Sequence, residues 1–482
     1  MEVDDMNSMI HLSLYLNELD VLGVIYTSSQ FHFNGDGKGT TLEQVTPHYR
    51  TSGLAGLARP KKTRGPDPEG GKLMEFRPFP MGWIENLWKN SYAKAYPYLI
   101  KHDKSYPSPE YMLSITKYGN IEFEGDVRFD TDGSNLIKEY LLDDSMEPIY
   151  LQSWGGINTI VRALLSIYEC YHDTEKWNDI YQKVCSKAKI LGMFDGLIGQ
   201  DNSWLDNRIP EIYPDIELLY PEYGYGAYFA SIGSQKDMRD CFKSKWMKEN
   251  IVNGTSALAD EYHLMMDGRR IPGEAEIYQF GLTNKIDFGF PGLEDIVFDQ
   301  YDFIGEGDSN TYIPLISFGL RGLENYTYGT LLGRLFTDEK DKPKGGNPFT
   351  GEGIRINPYI KAYHEDWAAR IEWCYKEFDE ANHAPVIEVE AKDIYVEKGL
   401  NVDLNTTIIE PDGDDYGCMW TCSYTTYQGK ENLFIWEPWK ECTTISIPED
   451  ARKDDYFVCT LRVQDCTIKP MTSFAQVIIH VL

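Results

Sequence analysis

The chain has 482 residues, more than one compact core usually serves, so two or more domains are expected. Hydrophobic residues make up 42% and charged residues 25%, the balance of an ordinary globular protein, and no run of 18 apolar residues offers a membrane-spanning helix. A net charge of −30 argues against nucleic acid and against an anionic membrane surface as partners, since both demand basic surfaces.

In chain order, Asp5 to Leu19 reads as an amphipathic helix, with Met6, Met9, Ile10 and Leu14 at helical spacing. Val21 to Thr27 is a short apolar run suited to a buried parallel strand. Asn34 to Pro80 is rich in Gly, Pro and Lys and reads as a long loop, and a helix follows from Ile84 to Tyr98. A strand–turn–helix unit comes next: Ile149 to Gln152, the turn Trp154 to Gly156, then Ile157 to Cys170 with Ile160, Val161, Leu164, Leu165 and Tyr168 on one face. Ile190 to Ile198 is a further strand. Strands alternating with helices imply a mainly parallel sheet covered on both faces, with ligands beyond the carboxyl ends of the strands.

The pattern changes near Asn382 to Pro385. Beyond it short strands dominate: Val386–Val389, Val402–Leu404, Thr443–Ile447, Tyr456–Val463 and Phe474–Val481. The expected division is therefore an α/β domain over 1–380 and an all-β, immunoglobulin-like sandwich over 381–482. Nine cysteines are present, five of them near the carboxyl end at Cys418, Cys422, Cys442, Cys459 and Cys466. Their spacing fits no zinc site, and an odd number leaves one thiol over if the rest form disulfides. Cys170, Cys185, Cys241 and Cys374 read as core thiols. No signal peptide is visible, because Met1 to Asp5 is acidic.

Two acidic turns stand out. Asp4-Asp5 opens the first helix, where one reading is a cap favourable to the helix dipole and the other a calcium site built from converging carboxylates. Asp308 in Glu306-Gly-Asp-Ser-Asn310 follows an apolar run and precedes the helix-like Tyr312 to Leu320, with the same two readings. Gln200, Asp201, Asn202 and Trp204 follow a strand and suit the rim of a site. Tyr220 to Gly226 reads as an aromatic loop packed on the core, with a sugar platform as the alternative. His32 after its strand is more often structural than acidic. Trp436 and Trp439 suit polysaccharide stacking, against burial in the sandwich.

With these residues in hand the sequence resembles a nucleoside-hydrolase-like family of cellulose-binding proteins from carbohydrate-degrading bacteria. The resemblance rests on Glu2-Val-Asp-Asp-Met-Asn-Ser8, Tyr26-Thr-Ser-Ser-Gln-Phe-His32, Tyr96-Pro97, His102-Asp103 and Tyr106-Pro-Ser-Pro-Glu-Tyr111. It continues through Gly119-Asn120, Gln152-Ser-Trp-Gly-Gly-Ile-Asn-Thr159, Glu306-Gly-Asp308, Gly319-Leu-Arg321 and Pro411-Asp-Gly-Asp414 before Trp420. It implies a sheet of nucleoside-hydrolase type, a calcium cofactor, and hydrolysis of a glycosyl bond in a plant-cell-wall saccharide or ribosyl-type compound. Its alternative is carbohydrate binding without turnover. By the same resemblance Asp4 would hydrogen-bond the sugar and act in catalysis, Asp5 and Asp308 would hold the metal, and Asn158 would offer its backbone carbonyl. Gln30 and Trp154 would face substrate. An extracellular or periplasmic home is also implied.

Three departures accompany the resemblance. The family's first metal-binding aspartate and general base falls four residues before Asp4, immediately ahead of Met1. The expectation is that a first strand rich in Val and Ile, and a secretion signal, lie upstream. The histidine that often precedes the late aspartate is Gly307 here, which removes the usual leaving-group acid and bears against nucleosides as substrates. Tyr328 to Arg334 also departs from the family pattern.

Overall fold

The computed structural model describes residues 3–27, 82–121, 127–192, 209–226, 230–233, 239–271, 280–283, 297–343, 357–429 and 433–482. The loop read over Asn34–Pro80, and Gln30, His32, Gln200, Asp201, Asn202 and Trp204, lie outside the described residues.

Helix α1 (Val3–Leu12) is buried on nearly every side. It ends seven residues before the predicted Leu19. The Ser13 hydroxyl donates back to the Met9 carbonyl at 2.7 Å, and Leu14 and Tyr15 close i→i+3 turns instead of continuing the helix. Strand β1 (Val24–Tyr26) pairs in parallel with β2 (Thr116–Tyr118). The helix predicted from Ile84 runs longer: Trp83–Asn86, a π-turn over Leu87–Tyr92, then α2 (Ala93–His102), which tolerates Pro97 inside it.

Strand β3 (Ile149–Ser153), β4 (Ala188–Gly192) and β5 (Glu217–Pro221) form a parallel sheet, closed at one edge by the antiparallel β6 (Leu335–Phe336). Between β3 and β4 run α3 (Asn158–Tyr171) and α4 (Trp177–Lys187). The apolar face of α3, with Val161, Leu164 and Ile167 buried, packs over Ile190. On α3 the buried Arg162 is satisfied by Asp130 at 2.7 Å and by Glu169, so a guanidinium inside an apolar helix is paired rather than stranded.

The helix predicted over Tyr312–Leu320 is not formed. Two 3₁₀ turns, Gly307–Thr311 and Ile313–Leu315, take its place. Pro314 lacks a donor, and Phe318 and Gly319 sit at φ 47° and 89°. A Cβ at Gly319 would lie 1.7 Å from the Phe474 carbonyl oxygen, so this approach between the two parts of the chain requires glycine.

After α5 (Ile360–Trp373) and a 3₁₀ turn at Phe378–Glu380, the regular elements among the described residues are all strands. The strands are β7 (Val386–Val389), β8 (Asp393–Val396), β9 (Asn401–Leu404), β10 (Thr406–Ile409), β11 (Tyr416–Thr425), β12 (Phe434–Trp436), β13 (Thr443–Ser446), β14 (Tyr456–Asp465) and β15 (Thr472–Val481). They form sheets ordered β11-β14-β15-β8, β12-β13-β9 and β10-β7. Trp420, Leu461, Val477 and Ile479 from the first meet Val402, Leu404 and Ile445 from the second in one core. Strands β8, β10, β11 and β12 were not read from the sequence, because their outward positions carry large apolar residues, Tyr395, Ile409, Met419, Phe434 and Trp436, which mask the alternation of apolar and polar. All nine cysteines are free thiols, with Cys422 directly opposite Cys459 across β11 and β14. Cys170 is exposed, not a core thiol as expected; it lies on the last turn of α3, past its buried stripe.

The all-β region is fastened to the α/β region. Phe474 N–H donates to the Phe318 carbonyl at 2.8 Å, Arg321 N–H donates to Gln476 at 2.7 Å, and the Arg321 guanidinium pairs with Asp393 at 2.8 Å. Met471 and Phe474 belong to the same apolar core as α1 and α5.

Candidate functional site

The site begins with the first turn of α1. Asp4 is 7% exposed and Asp5 half-buried, and both carboxylates sit where the helix dipole favours negative charge. The turn over Gly307–Thr311 meets this helix end and carries Asp308, 4% exposed. Asp308 lies inside the 3₁₀ turn and does not cap it, since Glu306 occupies the cap position. Carboxylate oxygens of Asp4, Asp5 and Asp308 all lie within 4.8 Å of one another. Gly307 stands beside them: a Cβ there would come 3.1 Å from Asp4 Oδ2, so the missing side chain makes room for the carboxylate.

A buried network fixes both turns. The Glu306 carboxylate is fully buried and receives the Tyr262 hydroxyl at 2.5 Å and the Ser309 hydroxyl at 2.7 Å, with His11 Nδ1 at 2.8 Å. Since His11 lies two turns along α1 from Asp4, this links the two acidic segments directly. Asn7, on the same helix, donates to the His263 carbonyl at 3.1 Å and accepts from the His263 N–H at 2.9 Å. Asn310 grips Tyr225 through both its N–H (2.6 Å) and its carbonyl (2.8 Å). Burial first, and then the Glu306 charge, push the Tyr312 phenol well up, so it stays protonated beneath the turn. Asn7, His11, Glu306 and Asn310 were missed in the sequence reading. The available signal was their spacing from the acids: Asn7 and His11 at helical intervals after Asp4, Glu306 two residues before Asp308.

A cavity of about 450 Å³ opens beside the cluster, lined by Asp5, Thr27, Gln152, Trp154 and Thr159 and running between β1 and β3. No strand among the described residues lies between those two. Trp154 is held by its indole N–H, which donates to Gln152 at 3.0 Å; the same Gln152 oxygen accepts from Thr311 at 2.9 Å. That bond brings the carboxyl end of β3 to the Asp308 turn. Asn158 opens α3; its side chain accepts from Thr27 at 2.8 Å and donates to the Asn120 carbonyl at 2.6 Å. Tyr225 is 3% exposed, so that part of the aromatic loop is packed in the core as read. Trp436 and Trp439 are 52% and 62% exposed, which favours the exposed alternative over burial in the sandwich: β12 turns its Trp436 side outward while Ile435 faces in.

Chemically the cluster is all oxygen and all anionic. Three like charges held this close, two of them buried, call for a cation, and a hard, oxygen-seeking divalent ion fits that donor set better than a thiophilic one. A second carboxylate group, Glu410, Asp412 and Asp414, lies in the all-β region, where Glu410 accepts the backbone N–H groups of Asp412 and Asp414 and so shapes its own turn.

A family model described as "Cellulose-binding Sde182, nucleoside hydrolase-like domain" matches residues 1–335. No curated protein sequence matches the chain. Among solved structures, a nucleoside hydrolase-related hypothetical protein from Saccharophagus degradans, associated with carbohydrate metabolism, aligns at TM-score 0.67 and 19% identity, covering 100% of this chain and 97% of that one. The PKD domain of human KIAA0319 aligns at TM-score 0.16 and 15% identity over 21% of this chain and 82% of that one. Titin M4 aligns at TM-score 0.13 and 17% identity over 21% of this chain and 98% of that one. The first likeness shows the fold: helices and sheets of nucleoside-hydrolase type, followed by an all-β region. Among the described residues no helix is long and apolar enough to cross a membrane.

Proposed function

This chain belongs to the family of cellulose-binding proteins with a nucleoside-hydrolase-like domain, and we propose that its acidic cluster holds calcium and acts on the glycosyl bond of a saccharide or ribosyl-type compound. The observation that carries the reading is the meeting of Asp4, Asp5 and Asp308, from opposite ends of the α/β region, beside a cavity that Asp5 lines. Asp5 and Asp308 would hold the ion, with the Asn158 backbone carbonyl as a further ligand on the family resemblance. Asp4 takes a sugar hydroxyl as acceptor and steadies positive charge developing on the ring. Trp154 offers an apolar face beside it. When bound, calcium supplies the charge that neutralises the cluster and makes a nearby water more acidic. Gln30 is kept as a substrate-side residue on the family resemblance, and Gln200, Asp201 and Asn202 on their place after a predicted strand.

A second reading, saccharide binding without turnover, is favoured by Gly307. An acid to protonate the leaving group is absent at the position facing Asp4, so bond cleavage there depends on a leaving group that needs no proton. Calorimetric titration with calcium, then with cello-oligosaccharides and nucleosides, followed by assays on aryl glycosides in calcium and in EDTA, tests both. Calcium-dependent release of the aryl group supports the hydrolase; calcium-dependent saccharide binding with no release supports the second reading. No calcium binding defeats the hydrolase, and saccharide binding that needs no calcium then leaves the second reading standing alone. The carbohydrate-binding family is also consistent with an extracellular setting. The division into 1–380 and 381–482, and an immunoglobulin-like type for the latter, are proposed from the buried Trp420 and the parallel pairing of β8 with β15.

A further inference from the structure

The outward face of the β12-β13-β9 sheet is built unlike the rest of the all-β surface. Alternation along β9 and β13 buries Val402, Leu404 and Ile445 and turns Asn401, Asp403, Thr444 and Ser446 toward solvent. On β12 the outward positions are both aromatic: Phe434, 54% exposed, and Trp436, 52% exposed. An aromatic pair left this open forgoes the burial that normally fixes such side chains.

These side chains are nevertheless fixed, by polar bonds. Trp436 lies opposite Thr444, but its indole N–H donates to the hydroxyl of Ser446, two residues along the neighbouring strand, at 3.0 Å. The ring is therefore laid across the sheet, with one face toward solvent. Phe434 stands at 85° to it with ring centroids 4.9 Å apart, a wall beside a floor. Ser446 passes its own proton to Asn401 at 2.8 Å, and Thr444 donates to Asp403 at 2.7 Å. Those bonds orient the Asn401 amide and the Asp403 carboxylate while leaving the amide N–H groups and the second carboxylate oxygen at the exposed edge.

We infer that this face binds a neutral saccharide chain, a segment of pyranose rings. A pyranose has an apolar C–H face that stacks on an indole, and equatorial hydroxyls around its rim that need both donors and acceptors. The floor supplies the first, and Asn401 with Asp403 the second. The indole reaches toward the polar row, with Trp436 Nε1 at 3.0 Å from Ser446 and Ser446 at 2.8 Å from Asn401, which suits a ring stacked on the floor with its rim hydroxyls at Asn401 and Asp403. The chain's net charge of −30 and the carboxylate of Asp403 select a neutral polymer over an acidic one. The site lies beyond residues 1–335 and is independent of the acidic cluster.

The test is titration of the full chain with cellohexaose and with an acidic oligogalacturonide, in EDTA so that the acidic cluster contributes no calcium-dependent binding. Wild type is expected to bind the neutral sugar and not the acidic one. Trp436→Ala is expected to weaken binding about tenfold or more, equivalent to about 1.4 kcal/mol, and Asn401→Ala to weaken it with the melting temperature unchanged. If Trp436→Ala melts early, Trp436→Phe and the Asn401 variant decide the matter. Equal affinity in wild type and all variants overturns the proposal. So does binding that vanishes in EDTA or in Asp5→Asn, or a face that engages only a second protein and no sugar.

Discussion

Replacing Asp5 by Asn removes one charge from the cluster and almost no volume. Two unit charges 4.8 Å apart, the outer limit of the spacing here, repel by about 3.5 kcal/mol at an effective dielectric of 20 and by about 0.9 kcal/mol in water. Asp5 is half-buried, so each of its two repulsions falls between those limits. In the absence of a cation the variant should therefore be more stable than wild type, by about 2 to 7 kcal/mol if all three acids stay ionised. With calcium at a hundred times its dissociation constant, wild type should recover about 2.7 kcal/mol, and the variant nearly none. Melting curves in EDTA and along a calcium titration read both effects. The expected result is a variant that melts higher than wild type in EDTA and ignores calcium. A variant that melts lower in EDTA yet keeps its calcium response would refute the reasoning, because the three carboxylates would then be neither in conflict nor sharing an ion.

Gly307→Ala should weaken calcium affinity with little loss of stability, since its methyl group presses on Asp4 at 3.1 Å; calorimetry checks this. Gly307→His restores an acid at that place and should raise turnover of glycosides with poor leaving groups more than of activated aryl glycosides, a ratio read from initial rates. Glu306→Ala strands His11, Tyr262 and Ser309 in the interior and should cost about 3–5 kcal/mol in urea unfolding. Burial holds His102 down at about 4, against an ordinary value of 6.5. Its folded-state value is depressed, so the unfolded chain binds the proton first; the stability this contributes is present above pH 6.5 and drains away as pH falls toward 4. His102→Gln should accordingly show a flatter decline in melting temperature over that window than wild type does.

How far the sequence revealed this site depends on the kind of signal each part carries. Acids at turn positions are common helix caps, so Asp4-Asp5 and Asp308 became legible as one site only through the family resemblance that paired them. The strand–turn–helix unit around Trp154 was legible through its periodicity, and β3 and α3 fall within a residue or two of their expected ends. The end of α1 was not legible: Leu14, Tyr15 and Leu16 are as buried as the helix before them, so apolar periodicity continues after the backbone has turned. Glu306 stood in the quoted motif without a role for a different reason. A fully buried carboxylate is read as a surface residue unless its donors are known, and His11 and Tyr262 come from elements remote in sequence. The outward aromatics of β12 look like core residues in one dimension, because hydrophobicity alone does not tell which side of a strand faces solvent.

The segment that follows the Asp308 turn shows why the all-β region matters to a site it does not touch. From Ser317 onward the chain has no regular helix or strand to hold it until β6. What holds it is β15: the Phe318 carbonyl is bonded to Phe474, Arg321 to Gln476, and Gln476 in turn to the Tyr328 carbonyl at 3.0 Å. Gly319 permits that contact by presenting no Cβ to the Phe474 carbonyl. The Asp308 turn is thus pinned from two sides, by the Glu306 network toward α1 and by β15 through the segment behind it. A turn pinned on one side alone is free to pivot, and a pivot of a few ångströms would separate Asp308 from Asp4 and Asp5 and dissolve the cluster. The carboxylates are gathered by the α/β region, but the geometry that keeps them within one ion's reach is shared with the strands at the other end of the chain.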